Sequence, residues 1–159
     1  MLKPLLKGLV AVLAVAFIGL QFVRPAKTNP PVNPAQTLQA HARLTAEVET
    51  IFNRACRDCH SNETDWPWYS QIAPVSWLVA DDVRVGRRQL NLSEWGKYNA
   101  RQAEQKLEEI CAVVQAGAMP PRTYTTIHSQ AKLSAADVQT ICAWSAATRQ
   151  RLTEQAKQQ

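Results

Sequence analysis

Two cysteines separated by two residues and followed at once by a histidine constrain this chain more than any other feature. They are Cys56, Cys59 and His60. Residues 48–55, which directly precede them, carry apolar side chains at the spacing of an amphipathic helix. Two sulfur atoms and an imidazole must therefore be presented together at the end of a helix.

This spacing is the one that attaches haem in c-type cytochromes. The two thiols would add across the haem vinyl groups, and His60 would ligate the iron while its other ring nitrogen donates to a backbone carbonyl. A zinc site is disfavoured because Cys59 and His60 are adjacent and cannot easily both bind one tetrahedral ion. A thioredoxin-like dithiol would follow a strand rather than a helix. The sequence therefore predicts one covalently bound haem c.

The second axial ligand can be sought by elimination, because few side chains in this chain bind haem iron strongly. Met119 is the one internal methionine, and the two prolines that follow it prevent a helix from resuming. His41 lies in a proline-rich segment, and His128 follows Met119. We expect Met119 to bind opposite His60, with His128 or an open site as the alternatives.

A cluster of aromatic residues follows the cysteine motif and is predicted to line the cofactor pocket. A small domain that holds a large planar group needs broad apolar faces around it, although ordinary core packing explains the same residues. Arg84, Arg87 or Arg88 could meet the haem propionates, or could equally form a solvated helix face. The aromatic residues are Trp66, Trp68, Tyr69 and Trp77.

Apolar periodicity predicts about four helices and an all-α domain. The chain has only 5 glycines and no alternating pattern, which disfavours a sheet. The helices are expected near residues 46–55, 74–89, 100–115 and 135–152. The second carries Val75, Leu78, Val79 and Val83 on one face, which we expect to be buried.

The first 24 residues predict a membrane anchor. Lys3 and Lys7 precede an apolar run from Gly8 to Val23 in which Gln21 is the only polar residue. At 1.5 Å per residue this run covers roughly 24 Å, and the apolar residues before it extend the run toward the ~30 Å hydrocarbon core. A cleaved signal is the alternative, but the best cleavage position would place Arg24 where a small residue is needed.

Covalent haem attachment takes place on the outer face of energy-transducing membranes. The predicted location is therefore the bacterial inner membrane, crossed once, with the C-terminal domain in the periplasm. Residues 25–45 contain four prolines and predict an extended linker, and residues 46–153 suit one haem-binding domain. The net charge of +5 includes no long basic run, so no nucleic-acid partner is expected.

Cys111 and Cys142 lie on the apolar faces of the third and last predicted helices. Exported thiols are normally joined in an oxidising compartment, so we expect a disulfide between them. Two buried free cysteines that act as small apolar residues are the alternative.

Three segments, taken together and in order, resemble the haem-binding domain family of bacterial exported proteins. They are CRDCHSNETDWPWYSQIAPVSWLV, GRRQLNLSEW and GAMPPRTYTTIHSQAKLSAADVQTICAW, within residues 48–144. The resemblance implies a cytochrome-c-like helical fold and haem c held by Cys56, Cys59 and His60. His128 matches the histidine that follows the methionine-proline pair in the family, which keeps it as a candidate ligand or propionate partner.

Three roles are compatible with these features. A membrane-tethered one-electron carrier, with an unknown redox partner and no catalytic activity, is favoured if the iron is closed by six ligands. A haem enzyme or gas sensor, such as a peroxidase-like protein, needs an open or displaceable site and polar groups above the iron. An interaction module without redox activity is expected if haem is never loaded.

Overall fold

Helices form all the regular structure of residues 2–157, the part of the chain that the computed structural model describes; Met1 and residues 158–159 lie outside it. No strand occurs in that range, which confirms the all-α prediction. Short 3-10 turns occur at Pro34–Gln36, Trp68–Gln71, Leu92–Lys97 and Ser129–Ala131. The α-helices are α1 (Leu2–Leu20), α2 (Leu38–His41), α3 (Ala46–Ala55), α4 (Arg57–His60), α5 (Val75–Gln89), α6 (Ala100–Gln115), α7 (Arg122–Ile127) and α8 (Ala135–Lys157).

The four predicted helices are α3, α5, α6 and α8, and their ends follow the capping chemistry of the sequence. The hydroxyl of Thr45 accepts a hydrogen bond of 3.3 Å from the N–H of Val48 at the start of α3. Ser134 and Asp137 cap α8 reciprocally. Gly117 ends α6 with a φ of 65°, a conformation that favours glycine. Three further helices, α2, α4 and α7, were missed because four to six residues are too few to show apolar periodicity.

The core lies where α6 packs on α8 and α8 in turn meets α3. Phe52 of α3 contacts Trp144 of α8 edge to face, with ring centroids 5.3 Å apart. Cys111 and Cys142 form a disulfide with their Cα atoms 4.8 Å apart, which confirms that prediction. The buried apolar residues of this cluster are Leu38, Ala42, Val48, Ile51, Phe52, Leu92, Trp95, Ala103, Leu107, Ile110, Val114, Ile141 and Trp144.

The buried face of α5 differs from the predicted one. Val83 is buried as expected, but Val75 and Leu78 are exposed and Val79 is half-buried. The buried positions are instead mainly small residues, Ser76, Ala80, Val83 and Gly86. Small side chains let α5 approach α4 closely. The buried face of α5 is therefore the one that packs on the cysteine motif, and not the face with the most apolar residues.

The segment predicted as an extended linker, residues 25–45, lies against the domain. Leu38 is only 1% exposed and belongs to the core cluster. The guanidinium of Arg87 donates to the carbonyl oxygen of Thr28 and to the side chain of Asn29. Prolines remove backbone hydrogen-bond donors, but they do not prevent a segment from packing on the domain. The proline content therefore predicted an extended backbone but not the contacts that this segment makes.

Helix α1 is long and apolar enough to cross a membrane. Its window from Lys3 to Leu20 has no side chain buried in the described structure. A signal sequence near an N-terminus has the same length and composition, so these properties alone do not separate the two.

Candidate functional site

The cysteine motif forms a sharp break between two helices. Cys56 is both the C-cap residue of α3 and the N-cap residue of α4, with φ −125° and ψ −38°. A new helical turn then begins, and the N–H of His60 donates to the carbonyl oxygen of Cys56 at 2.9 Å. This short turn presents Cys59 and His60 beside the end of α3.

The imidazole of His60 is oriented by two backbone carbonyls of α5. Its Nδ1 atom lies 3.0 Å from the oxygen of Gly86 and 3.1 Å from the oxygen of Leu90. The Nδ1–H donates to these oxygens, which leaves Nε2 as the nitrogen that can ligate. Burial lowers the pKa of His60, although the carbonyl contacts oppose that effect, so the ring is neutral at neutral pH.

A cavity of about 350 Å³ opens beside this motif. Its volume lies within the range of small-molecule and cofactor sites, and the walls come from α3, α4, α5, α6, α7 and the segment after α6. Cys56, Cys59, His60 and Met119 all line it. The apolar part of its lining includes Phe52, Val85, Leu90, Leu92, Ile110, Val113, Val114, Pro120, Pro121 and Leu133.

The two cysteines are free thiols at the wall of this cavity. Burial, and then the neighbouring Cys59, raise the pKa of Cys56 to about 12. Burial and the carboxylates of Asp82 and Asp58 raise the pKa of Cys59 to about 11. Both groups are therefore neutral thiols at neutral pH, held side by side on one wall.

Met119 lines the same cavity from the segment between α6 and α7. After Gly117 reverses the chain, the N–H groups of Ala118 and Met119 donate to the carbonyl oxygen of Val113 at 2.9 and 3.3 Å. This turn folds the segment back onto α6 and brings the thioether to the cavity that also holds His60. Met119 is 38% exposed, so it lies at the edge of the cavity.

His128 lies in an adjoining cavity of about 120 Å³, which shares Asp58, Cys59, Asp82 and Tyr124 with the cavity of His60 but does not include His60 or Met119. The Nε2 atom of His128 is 2.5 Å from the hydroxyl of Tyr69. Its ring stacks on Tyr124 with centroids 4.3 Å apart. The hydroxyl of Tyr124 in turn donates to Asp58, within the cysteine motif, at 2.7 Å. Burial and this carboxylate raise the pKa of Tyr124, which keeps it a hydrogen-bond donor.

The tryptophans that the sequence placed in the cofactor pocket also lie outside the cavity of His60. Trp66 and Trp77 line a large open cavity of about 760 Å³ between α5 and the chain that follows α1. Trp68 is 75% exposed. Arg84 and Arg87 line that open cavity as well, where Arg84 pairs with Asp81.

Several residues that shape the site were missed by sequence reasoning. Gly86 lies so close to α4 that an added Cβ would be 2.5 Å from the carbonyl oxygen of Cys59. A glycine inside a helix is itself a signal of close approach, and it could have been read from the sequence. Asn62 and Asn91 form a buried hydrogen bond of 2.9 Å that fixes the chain just after His60. Nothing in their spacing predicted that pairing.

The chain is similar to one family of known proteins. A family model described as a haem-binding domain matches residues 15–147. No curated protein matches the chain significantly, and no solved structure does so either. The matched range includes the whole lining of the 350 Å³ cavity.

Proposed function

Because this chain belongs to the haem-binding domain family, we propose that it is a membrane-anchored c-type cytochrome with one haem. Its role is to carry single electrons rather than to catalyse a reaction. Haem supplies reversible one-electron exchange at its iron, and the protein supplies ligands, orientation and an apolar environment.

One observation carries this proposal. His60 and Met119 line the same cavity, from two different parts of the chain, and both cysteines of the motif lie on its wall. The donor set fits haem c, because it offers two thiols for the vinyl groups, a neutral oriented imidazole and a thioether. In this assignment Cys56 and Cys59 would hold the haem, and His60 and Met119 would ligate its iron.

The position of His128 supports Met119 as the second ligand. The Nε2 atom of His128 is engaged by Tyr69, and Gln130 lies 3.4 Å from its Nδ1 atom. To reach the cavity of His60, this ring would have to leave both partners and its stack on Tyr124. Met119 needs no such change.

Two features support membrane anchoring: the length of α1 and the chemistry of haem attachment. An apolar helix of 19 residues is about 28 Å long, which suits a single crossing of a hydrocarbon core of about 30 Å. Covalent haem is attached outside energy-transducing membranes, so the domain after α1 would lie in the periplasm of a bacterium. Its redox partner is a protein that this chain does not identify.

The ligand assignment is tested by replacing each candidate in full-length protein made with a cytochrome c maturation system. Met119→Ala should alter the oxidised spectrum, lower the reduction potential and open the iron to carbon monoxide. His128→Ala is the matched control and should leave the spectrum unchanged. An unchanged spectrum in Met119→Ala together with an altered spectrum in His128→Ala would identify His128 as the second iron ligand and contradict the proposed site.

The carrier role is tested separately on the native protein. A six-coordinate iron should be reduced and reoxidised rapidly by small donors and acceptors, with little turnover of peroxide. Efficient peroxide turnover by untreated protein, without loss of Met119 ligation, would favour a peroxidase-like enzyme instead.

A further inference from the structure

The residues directly after α1 are joined to the start of α5 by three hydrogen bonds. The side chain of Gln21 accepts from the N–H of Ala73 at 2.9 Å and donates to the carbonyl oxygen of Ala73 at 3.3 Å. The indole N–H of Trp77 donates to the carbonyl oxygen of Val23 at 2.7 Å. The start of α5 therefore lies within hydrogen-bond distance of the residues that follow α1.

Exposed apolar side chains gather around this junction. Trp68 is 75% exposed and Leu78 is 65% exposed, although both belong to residue types that normally avoid water. Val75, Leu78 and Ile127 line one cavity, which places α7 beside the same end of α5. We call this surface the apolar patch, and its members are Phe22, Trp68, Ile72, Val75, Leu78 and Ile127.

The length of α1 fixes where this patch lies relative to a bilayer. If α1 spans the hydrocarbon core, residues 21–23 lie at its outer boundary, because the helix and the core have nearly the same length. Ala73 and Trp77 are hydrogen-bonded to those residues and so lie at the same level. Tryptophan is enriched at this level in membrane proteins, because its apolar ring and polar N–H suit the interface.

Two cations next to the patch suit phosphate headgroups, although Asp65 and Asp82 also line the cavity of Val75, Leu78 and Ile127. Arg24 and Lys27 follow α1 directly, and the ammonium of Lys27 donates to the carbonyl oxygen of Ser70 at 3.0 Å. Lys27 is thus held beside the turn that carries Trp68, whereas Arg24 donates to the carbonyl oxygen of Gln21 at 3.2 Å. Basic groups near an anionic surface are attracted to its phosphates.

We propose that the apolar patch docks on the outer leaflet of the bilayer and inserts at the boundary between headgroups and acyl chains. The proposal rests on the membrane anchoring proposed above, and it replaces the extended tether expected from the prolines. Continuity with α1 favours lipid over a protein partner, because the patch adjoins the helix that enters the membrane.

Docking would also set the distance between the haem and the membrane. Gly86, whose carbonyl oxygen contacts His60, follows Trp77 by nine residues of α5. Nine residues of α-helix cover roughly 14 Å, so His60 would lie within roughly 20 Å of the headgroup level. Electron exchange would then occur close to the membrane surface.

The test uses full-length holoprotein in vesicles of phosphatidylethanolamine and phosphatidylglycerol that contain a photoactivatable phospholipid. After illumination and proteolysis, we expect lipid adducts on peptides containing residues 68–78 and residue 127. Leu78→Glu should reduce those domain adducts at least several-fold. Gln139→Glu, at an exposed position of α8, is the matched control and should leave them unchanged.

Extraction of the same vesicles with alkaline carbonate separates this proposal from the anchoring proposal. Protein that stays with the membrane and carries haem, but has lipid adducts only within residues 2–23, would overturn the docking. Release of the wild-type protein by carbonate would instead overturn the anchoring and the docking together. Retention with adducts on the patch supports both.

Discussion

The Nδ1 atom of His60 lies 3.0 Å from the carbonyl oxygen of Gly86, a residue whose lack of a side chain lets α5 lie this close to α4. An added Cβ at position 86 would lie 2.5 Å from the carbonyl oxygen of Cys59 and 3.2 Å from its Cβ. The glycine therefore sets the distance between the helix that orients the imidazole and the turn that carries it.

Gly86→Ala should lower haem incorporation and stability together. Alanine gains at most about 1 kcal/mol from its higher helix propensity, whereas overpacking costs about 1–3 kcal/mol, so the net effect is a loss. The measurement is the ratio of haem to protein after expression, with the thermal midpoint of the holoprotein. Arg88→Ala, at an exposed position of α5, should change neither. Full haem loading of Gly86→Ala with an unchanged midpoint would contradict the role given to this contact.

Arg87→Lys should loosen the segment that follows α1. The guanidinium donates to the carbonyl oxygens of Ser61 and Thr28, at 2.6 and 2.7 Å, and to the hydroxyl of Thr64 at 2.8 Å. A lysine ammonium lacks the planar fork that reaches these acceptors together. We expect faster cleavage by trypsin after Lys27 and a loss of about 1–3 kcal/mol in stability.

The control for this prediction is Arg84→Lys. Arg84 pairs with Asp81 on the exposed surface of the same helix, where an ion pair contributes little. If Arg87→Lys and Arg84→Lys are cleaved at the same rate as wild type, the segment is held by other contacts.

The long helices could be predicted from the sequence because the residues that start and end them act over only a few positions. Thr45, Ser134, Asp137 and Gly117 mark helix ends through chemistry that acts over a few residues. The buried face of α5 could not be recovered in this way. Val75 and Leu78 have the apolar character of a core face, but close packing on α4 requires small residues at other positions.

Replacing both members of the Cys111–Cys142 disulfide by serine should destabilise the fold. The bond joins α6 to α8 across a separation of 31 residues, and the chain-entropy estimate for such a loop is about 3–4 kcal/mol. Denatured, unreduced wild-type protein should show no titratable thiol from this pair, and reduction should lower its thermal midpoint as the double substitution does. Equal midpoints for oxidised, reduced and double-serine protein would contradict a stabilising role.

Asp137→Asn should destabilise the protein at neutral pH but not in acid. Partial burial opposes ionisation of Asp137, but hydrogen bonds from Ser134 and Arg54 outweigh it and lower its pKa from the usual 3.8. Because the pKa is lower in the folded state, the stabilisation is present above about pH 4 and is lost as the pH falls through the folded-state pKa.

The expected loss at pH 7 is about 1 kcal/mol, as for other N-terminal helix caps. The measurement is the free energy of unfolding of each protein as the pH falls from 7, and the difference between wild type and Asp137→Asn should begin to shrink below about pH 4 and vanish below the folded-state pKa. Glu154→Gln, on the exposed end of α8, should follow the wild-type curve throughout. A constant difference between wild type and Asp137→Asn at every pH would show that the charge of Asp137 does not stabilise the cap.

As with the fold, some residues of the candidate site could be predicted from the sequence and others could not. Cys56, Cys59 and His60 are adjacent in sequence, so their chemistry can be read from their spacing. Met119 was reached by elimination, and the structure places it in the same cavity. The positions of Trp68 and Tyr69 could not be derived, because an aromatic residue suits a core, a cofactor pocket or a membrane interface equally well.

The central claim is that Cys56 and Cys59 bind one haem covalently, and acid–acetone extraction followed by intact-mass measurement tests it most directly. Full-length protein made with a cytochrome c maturation system should keep the added mass of one haem after extraction. Cys59→Ala should keep at most one thioether, and the double alanine variant should keep no haem. Complete removal of haem from the wild-type protein by acid–acetone would contradict covalent attachment.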